Sequence, residues 1–286
     1  MRVVVGIVFA ALPALADWST YYRSGEDFLE QGRTEDAIRE LKTALEERPA
    51  EVAILDALGR AEFQAGRYRS AKAYFEKASH AAGDNAILLA NWAQACFVLG
   101  EYSSAEQLLH RTLAMLPESA DVWHLLGQVL YKFHRYTDAD SSFHKALALS
   151  NNALIWSDLA ALAVSQHQEE QGMQMLRRAI SEGSPGHGRA RARANLAELQ
   201  RKRGANEAAR TGFQEALDEM TIAVGPIHPE IAMILETYSQ VLRKSGHKAE
   251  AKSAAARAAE IRSVFDLQSN RKGFTVDSRD VGATGR

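Results

Sequence analysis

The chain has 286 residues, 46% of them hydrophobic and 24% charged, with a formal net charge of -2. That composition is globular and excludes an intrinsically disordered chain, while the balanced charge excludes the overall basic excess of a nucleic-acid binder and the acidic block of a solvating tail. The single cysteine, Cys96, excludes an internal disulfide framework, so apolar packing has to hold the fold.

The first element is "MRVVVGIVFAALPALAD". Arg2 supplies a short positive region, Val3 to Ala16 is uncharged, and Ala14-Leu15-Ala16 places small residues where a signal peptidase needs them. The segment predicts a signal peptide over 1–16, cleaved near Ala16. An uncleaved N-terminal membrane anchor is the alternative, but a spanning helix needs about 20 apolar residues, and this run is shorter and contains Pro13. No cysteine follows the cleavage point to carry a lipid. With no other apolar run of spanning length, the mature chain is expected to be periplasmic or secreted, without an integral membrane span.

From Trp18 onward the pattern repeats. "LGRAEFQAGRYRSAKAYFEKA" from Leu58 aligns with "LGQVLYKFHRYTDADSSFHKA" from Leu126, and "WAQACFVLGEYSSAEQLLHRT" from Trp92 lies between them at 34-residue steps. The register defines seven units, near 18–51, 52–85, 86–119, 120–152, 153–189, 190–231 and 232–265, the fifth displaced by one residue. Each reads as two amphipathic helices.

Position eight of the units is Gly25, Gly59, Ala93, Gly127, Ala160, Ala197 and Ser239; position twenty is Ala37, Ala71, Ala105, Ala139, Gly172, Ala209 and Ala251. All are small, as a close antiparallel crossing requires. Four places after the second come Leu41, Phe75, Leu109, Phe143, Leu176 and Phe213, bulky enough to fill the space around the crossing; the seventh unit has Ala255 there, which predicts a looser end. The turn between the helices carries Gly32, Gly66, Gly100, Gly204 and Gly246, where a positive φ is cheap, and His134 and His167 in units four and five. Histidine is among the non-glycine residues enriched at positive φ, so these two are expected as turn residues, not ligands. Units end in Pro49 and Pro117, with Gly83 and Asn151 as softer stops.

These residues resemble the tetratricopeptide repeat over essentially the whole mature chain. The resemblance implies an all-α, right-handed superhelical solenoid of about seven helix-turn-helix units. First helices would line a concave groove, and stability would be a sum of neighbour interfaces. The last units differ: the step from Ala190 to Ala232 is 42 residues, with the extra length in "GFQEALDEMTIAV" and the "GPIHPE" that follows. This is similar to the repeats of kinesin light chains, whose Gly-x-x-His-Pro spacer matches Gly225, His228 and Pro229, with Ala232 and Leu235 beyond. Pro229 suits the first turn of the next helix, making "GPIHPE" a joint between units six and seven. The tail 266–286 loses helical periodicity, gains Gly, Ser and charge, and is expected to be disordered.

On a first helix, positions 2, 5, 6, 9, 12 and 13 share one face, which in the resembled family lines the groove. Candidate partner-binding residues there are Tyr22, Glu26, Arg60, Asn91, Gln94, His124, Gln128, Tyr131, Asp158, Asn195, Arg201, Lys202, Arg243 and Lys244. Polar groups with interleaved aromatics suit an extended peptide, whose backbone Asn91 and Asn195 could pair; the bland alternative for each is a solvated helix face. A dicarboxylate clamp of the co-chaperone kind would need Lys and Asn at positions 5 and 9. Unit one has Tyr22 and Glu26 there, so none is expected. The groove positions of the last two units hold Arg191, Arg201, Lys202, Arg243 and Lys244 against Glu198 and Glu236, which predicts a preference for an acidic segment or anionic glycan.

Other chemistry finds little support. In "RARARANLAELQRKR" the arginines 189, 191 and 193 alternate, so a helix points them in different directions and makes no stripe for nucleic acid. Of the nine histidines none falls in a His-Glu-x-x-His arrangement, and Cys96 takes a packing position, so neither a metal nor a thiol nucleophile is expected. No serine elbow or glycine-rich phosphate loop stands out. The reading is a non-catalytic protein-interaction scaffold of the bacterial cell envelope, binding a protein or peptide partner in the groove, with no cofactor. Alternatives are an accessory factor for envelope polysaccharide or cell-wall machinery and, from another class, a hydrolytic or metal-dependent enzyme.

Overall fold

A computed structural model describes residues 17–83 and 85–265. The expected signal peptide over 1–16 and the tail over 266–286 lie outside the described residues. Those described form fourteen α-helices and no strand. They run in consecutive pairs: α1 Trp18–Glu30 with α2 Thr34–Glu47, α3 Val52–Gln64 with α4 Tyr68–Ala82, α5 Ala86–Leu99 with α6 Tyr102–Met115, and α7 Ala120–Lys132 with α8 Tyr136–Leu149. There follow α9 Ala153–Ser165 with α10 Glu169–Glu182, α11 His187–Lys202 with α12 Asn206–Val224, and α13 Pro229–Lys244 with α14 Lys248–Phe265. The chain divides into two compact units at the junction of Ala95 and Cys96, inside α5.

One turn geometry joins first to second helix in every pair. The residue after the first helix's cap takes a positive φ, its N–H reaches back three residues, and the next N–H reaches back five. In the first pair these bonds are Gly32 N to Leu29 O and Arg33 N to Phe28 O; in the last, Gly246 N to Arg243 O and His247 N to Leu242 O. This Schellman arrangement satisfies carbonyls that a helix end would otherwise leave bare. Where histidine replaces glycine the backbone does not change: His134 and His167 adopt φ of 58° and 64°, the two non-glycine residues with positive φ among those described.

Packing within a pair follows from size at two positions. All fourteen small residues of positions eight and twenty are buried. Against the three position-eight glycines lie Leu41, Phe75 and Phe143, each almost wholly enclosed. A Cβ at Gly127 would stand 2.5 Å from Phe143 Cδ1 and Cε1, so the ring occupies the volume that any other residue's side chain would claim. In the unit 17–95, Leu29, Ile38, Leu41, Ala44, Ile54 and Leu58 continue this core between pairs. In the unit 96–265 the largest cluster runs through Phe213, Met220, Ile231, Leu235, Tyr238 and Leu242 to Ala254, Ala258 and Ile261 of α14. Ala255 is only half-buried, so the last pair lacks the large enclosed side chain that Phe213 supplies to the sixth.

The sixth pair's second helix is the longest, 19 residues, and ends at Gly225 with φ +83°. His228 then caps α13: its Nδ1 accepts from Glu230 N–H at 3.3 Å, and Pro229 sits in the first turn, where its missing N–H leaves nothing unpaired. Both α11 and α13 begin three residues ahead of the repeat register, at His187 and Pro229, and are 16 residues long.

Two stability changes of opposite sign are expected. Gly127→Ala forces Phe143 from its site and lowers stability by about 1–3 kcal/mol, read as a lower denaturation midpoint. His167→Gly relieves an exposed left-handed residue and raises stability by roughly 0.5–1 kcal/mol in the same measurement.

Candidate functional site

The outward positions of the first helices are polar, and the structure joins many of them across neighbouring pairs at about the repeat spacing. In the unit 17–95, Arg60 of α3 donates through Nη2 to Glu26 of α1 at 2.6 Å and through Nε to Asp56, one turn back, at 3.1 Å. Asp56 in turn accepts from Asn91 Nδ2 of α5 at 3.1 Å. Tyr22 packs half-buried near Trp18, and burial, followed by the charge of Glu26, raises its hydroxyl pKa. Asn91 is therefore held by an acid of the preceding pair. Gln94 of α5 stands exposed.

In the unit 96–265 the corresponding node is buried. Asp158 of α9 is 8% exposed and accepts at Oδ2 from Gln128 Nε2 of α7 at 2.7 Å, with His124 Nε2 at the same distance. At Oδ1 it accepts from Arg191 Nη2 of α11 at 2.6 Å. Arg191 is itself 5% exposed, so a fully desolvated ion pair links the fifth and sixth pairs. Burial alone would raise the Asp158 pKa; the Arg191 charge and the His124 and Gln128 hydrogen bonds outweigh it and hold the carboxyl at about 2. Asp158 and Arg191 thus belong to the interior of the wall and are not free to meet a partner. The alternating arginines divide as a helix requires: Arg189 and Arg193, one turn apart, both reach Glu219 of α12, while Arg191 points to Asp158.

Beyond this node the face opens. Tyr131 lies half-buried with its ring 5.7 Å from that of Tyr136. Asn195 is half-buried, and its Nδ2 is enclosed without a hydrogen-bond partner among the described residues. Arg201 is neutralised by both carboxylate oxygens of Glu198, each at 2.7 Å. Lys202, Arg243 and Lys244 are exposed, with no ion pair among the described residues. They occupy the last turns of α11 and α13, where a positive charge also suits the helix dipole. The acid two turns earlier on α13, Glu236, is taken by Arg262 of α14. Of the five cations counted on these helices from sequence, three stay available. No group of three or more His, Cys, Asp or Glu among the described residues is placed to hold a metal ion.

Two family models, each described as a tetratricopeptide repeat, match residues 22–86 and 62–129. Residues 22–129 thus carry tetratricopeptide repeats. Solved structures extend the likeness in fold. A tetratricopeptide repeat protein from Parabacteroides merdae ATCC 43184 superposes with a TM-score of 0.65 at 20% identity, over 88% of this chain and 99% of that one. PilF from Pseudomonas aeruginosa gives 0.55 at 22% identity over 69% and 89%, and MamA from residue 41 of Desulfovibrio magneticus RS-1 gives 0.54 at 19% over 59% and 96%. No curated protein matches the chain in sequence.

Reading the repeats by position located the polar face but missed how much of it is spent on stacking. The signal was available as opposite charges about 34 residues apart, Glu26 with Arg60 and Asp158 with Arg191. A second set escaped notice at the repeat turns: Arg67 donates to Glu35, Arg135 to Glu106, and Arg203 to Glu169 and Glu170, each tying a turn to the second helix of the preceding pair.

Asp158→Ala leaves Arg191 charged and buried, and is expected to lower stability by about 3–5 kcal/mol in chemical denaturation. Adding Arg191→Met is expected to recover much of that loss. Because the folded Asp158 pKa lies below its ordinary 3.8, the wild-type contribution is present above that value and is lost as pH falls toward about 2, an acid loss the double variant lacks.

Proposed function

We propose that this protein is a non-catalytic scaffold that holds a protein partner along the outward face of its first helices. The observation that carries this reading is the tetratricopeptide-repeat fold itself, with consecutive first helices presenting polar side chains at about 34-residue spacing. A periodic row of this kind matches an extended segment, which offers backbone groups and side chains at regular intervals. In the unit 96–265 the exposed groups that could meet a partner are Lys202 on α11 and Arg243 and Lys244 on α13; in the unit 17–95, Gln94 on α5 is exposed. Of the remaining candidates, Tyr22, Glu26, Arg60, Asn91, His124, Gln128 and Asp158 are engaged with neighbouring helices, and Arg201 is paired with Glu198 on its own helix.

The free cations favour an acidic segment of the partner at the α11–α13 end, where charge complementarity would set association rate and register. The 19-residue α12 and the His-Pro joint support reading the last two pairs as similar to kinesin light-chain repeats. We place the protein in the bacterial envelope on the character of residues 1–16, with cleavage near Ala16. No described helix is long and apolar enough to cross a membrane.

Co-purification of partners from an envelope extract tests the assignment, with wild type compared against Lys202→Ala/Arg243→Ala/Lys244→Ala. The triple variant, whose cations make no ion pair among the described residues, is expected to stay folded, recover at least several-fold less partner, and lose most of the salt dependence of binding. Unchanged recovery and salt dependence would rule out this end of the face as the docking site.

A further inference from the structure

We infer that the joint between the sixth and seventh helix pairs is an acid-operated hinge, in which protonation of His228 releases the start of α13 and loosens α13 and α14 from α11 and α12. Three side chains form it. His228 is the N-cap of α13, and its Nδ1 accepts from Glu230 N–H at 3.3 Å. Glu230, 6% exposed, meets His187 Nε2 of α11 at 2.7 Å. The two imidazoles lie edge to face with centroids 6.2 Å apart. Glu230 and its partner thus bridge the two pairs directly beside the cap.

The cap works in only one protonation state. To accept from a backbone N–H, Nδ1 must carry a lone pair, so His228 must be neutral with its proton on Nε2. A proton on Nδ1 sets two donors against each other and removes the cap. It also places a positive charge at the positive end of the α13 dipole, beside a second imidazole.

The charged groups around the joint act in the same sense or are already engaged. On α13, Glu230 favours the cationic form of His228, but it is committed to His187. On α11, His187 opposes that form, and Arg191 acts on Glu230 while bonded to Asp158. On α12, Glu219 is held by Gly186 N–H, Arg189 and Arg193; on α14, Arg262 pairs with Glu236. Burial, and then the neighbouring His187, lower the His228 pKa from its ordinary 6.5 against the pull of Glu230. A depressed histidine binds its proton more readily once the joint opens. Closure is therefore fully supported above pH 6.5 and weakens as pH falls below it.

Opening would carry Arg243 and Lys244 on α13 away from Lys202 on α11, so the hinge would also divide the cationic end of the first-helix face. Hydrogen exchange of the full-length chain at about pH 7.5 and about pH 5.5, corrected for the intrinsic pH dependence of exchange, tests the inference. In the wild type, amides of 229–265 are expected to lose protection several-fold at the lower pH, while those of 120–165 keep theirs. His228→Asn, and His228→Ser as a second neutral cap, are expected to abolish that loss. His187→Gln removes the opposing imidazole, lets the His228 pKa return toward 6.5 and is expected to make the acid loss smaller. The inference is overturned if the wild type shows no acid loss in 229–265, if the loss extends equally to 120–165, or if both neutral-cap variants show it undiminished.

Discussion

Everything in this fold depends on how closely two antiparallel helices can cross. At each crossing both helices contribute a small residue, and in three pairs a glycine lies directly against a leucine or phenylalanine of the second helix. The interlock sets the separation and tilt of the pair, and with them the direction in which the first helix presents its other side. The apolar layer beneath is close-packed, so a single added methyl at such a crossing has nowhere to go. The Schellman turn performs the complementary task at the helix ends. It reverses the chain in the fewest residues while satisfying backbone groups, and its positive φ is maintained even where histidine stands in for glycine.

On that frame, stacking and recognition compete for the same surface. A polar residue on a first helix can reach the next pair or a partner, and here the nearer neighbour has taken most of them. The Glu26, Arg60, Asp56 and Asn91 row is partly solvated, so its bonds contribute modestly and mainly align adjacent pairs. The Asp158–Arg191 pair differs because both groups are almost fully desolvated. Losing either partner leaves an uncompensated buried charge, which makes the node more valuable for specifying one arrangement of α9 and α11 than for its net energy. The cations left unpaired among the described residues, Lys202, Arg243 and Lys244, lie on α11 and α13, whose acids Glu198 and Glu236 are internally neutralised.

The repeat, the helix pairing and the small crossings were readable directly from residue spacing, since a helix converts spacing into facing direction at a fixed rate per residue. So was the identity of "GPIHPE" as a joint, because a glycine followed by a proline after a histidine ends one helix and starts another. The candidate face was readable only as a set of positions. Whether Asn91 points to a partner or to Asp56, and whether Arg191 lies on the surface or in the wall, is decided by residues about 34 places away in sequence. No local pattern specifies such pairings; they require the distance between stacked helices, which is set by the core.

By itself, then, the amino-acid order determined an all-helical chain of repeated pairs, the residues that cross, the residues that turn, and the side of each first helix that faces outward. The tertiary structure alone decided which of those outward groups remain available, because availability depends on neighbours brought together by packing. It also decided that His228 caps α13 beside a buried Glu230 and a second histidine contributed by α11. That placement gives a titratable residue a role that depends on its being uncharged, and no reading of the six-residue joint in isolation contains it.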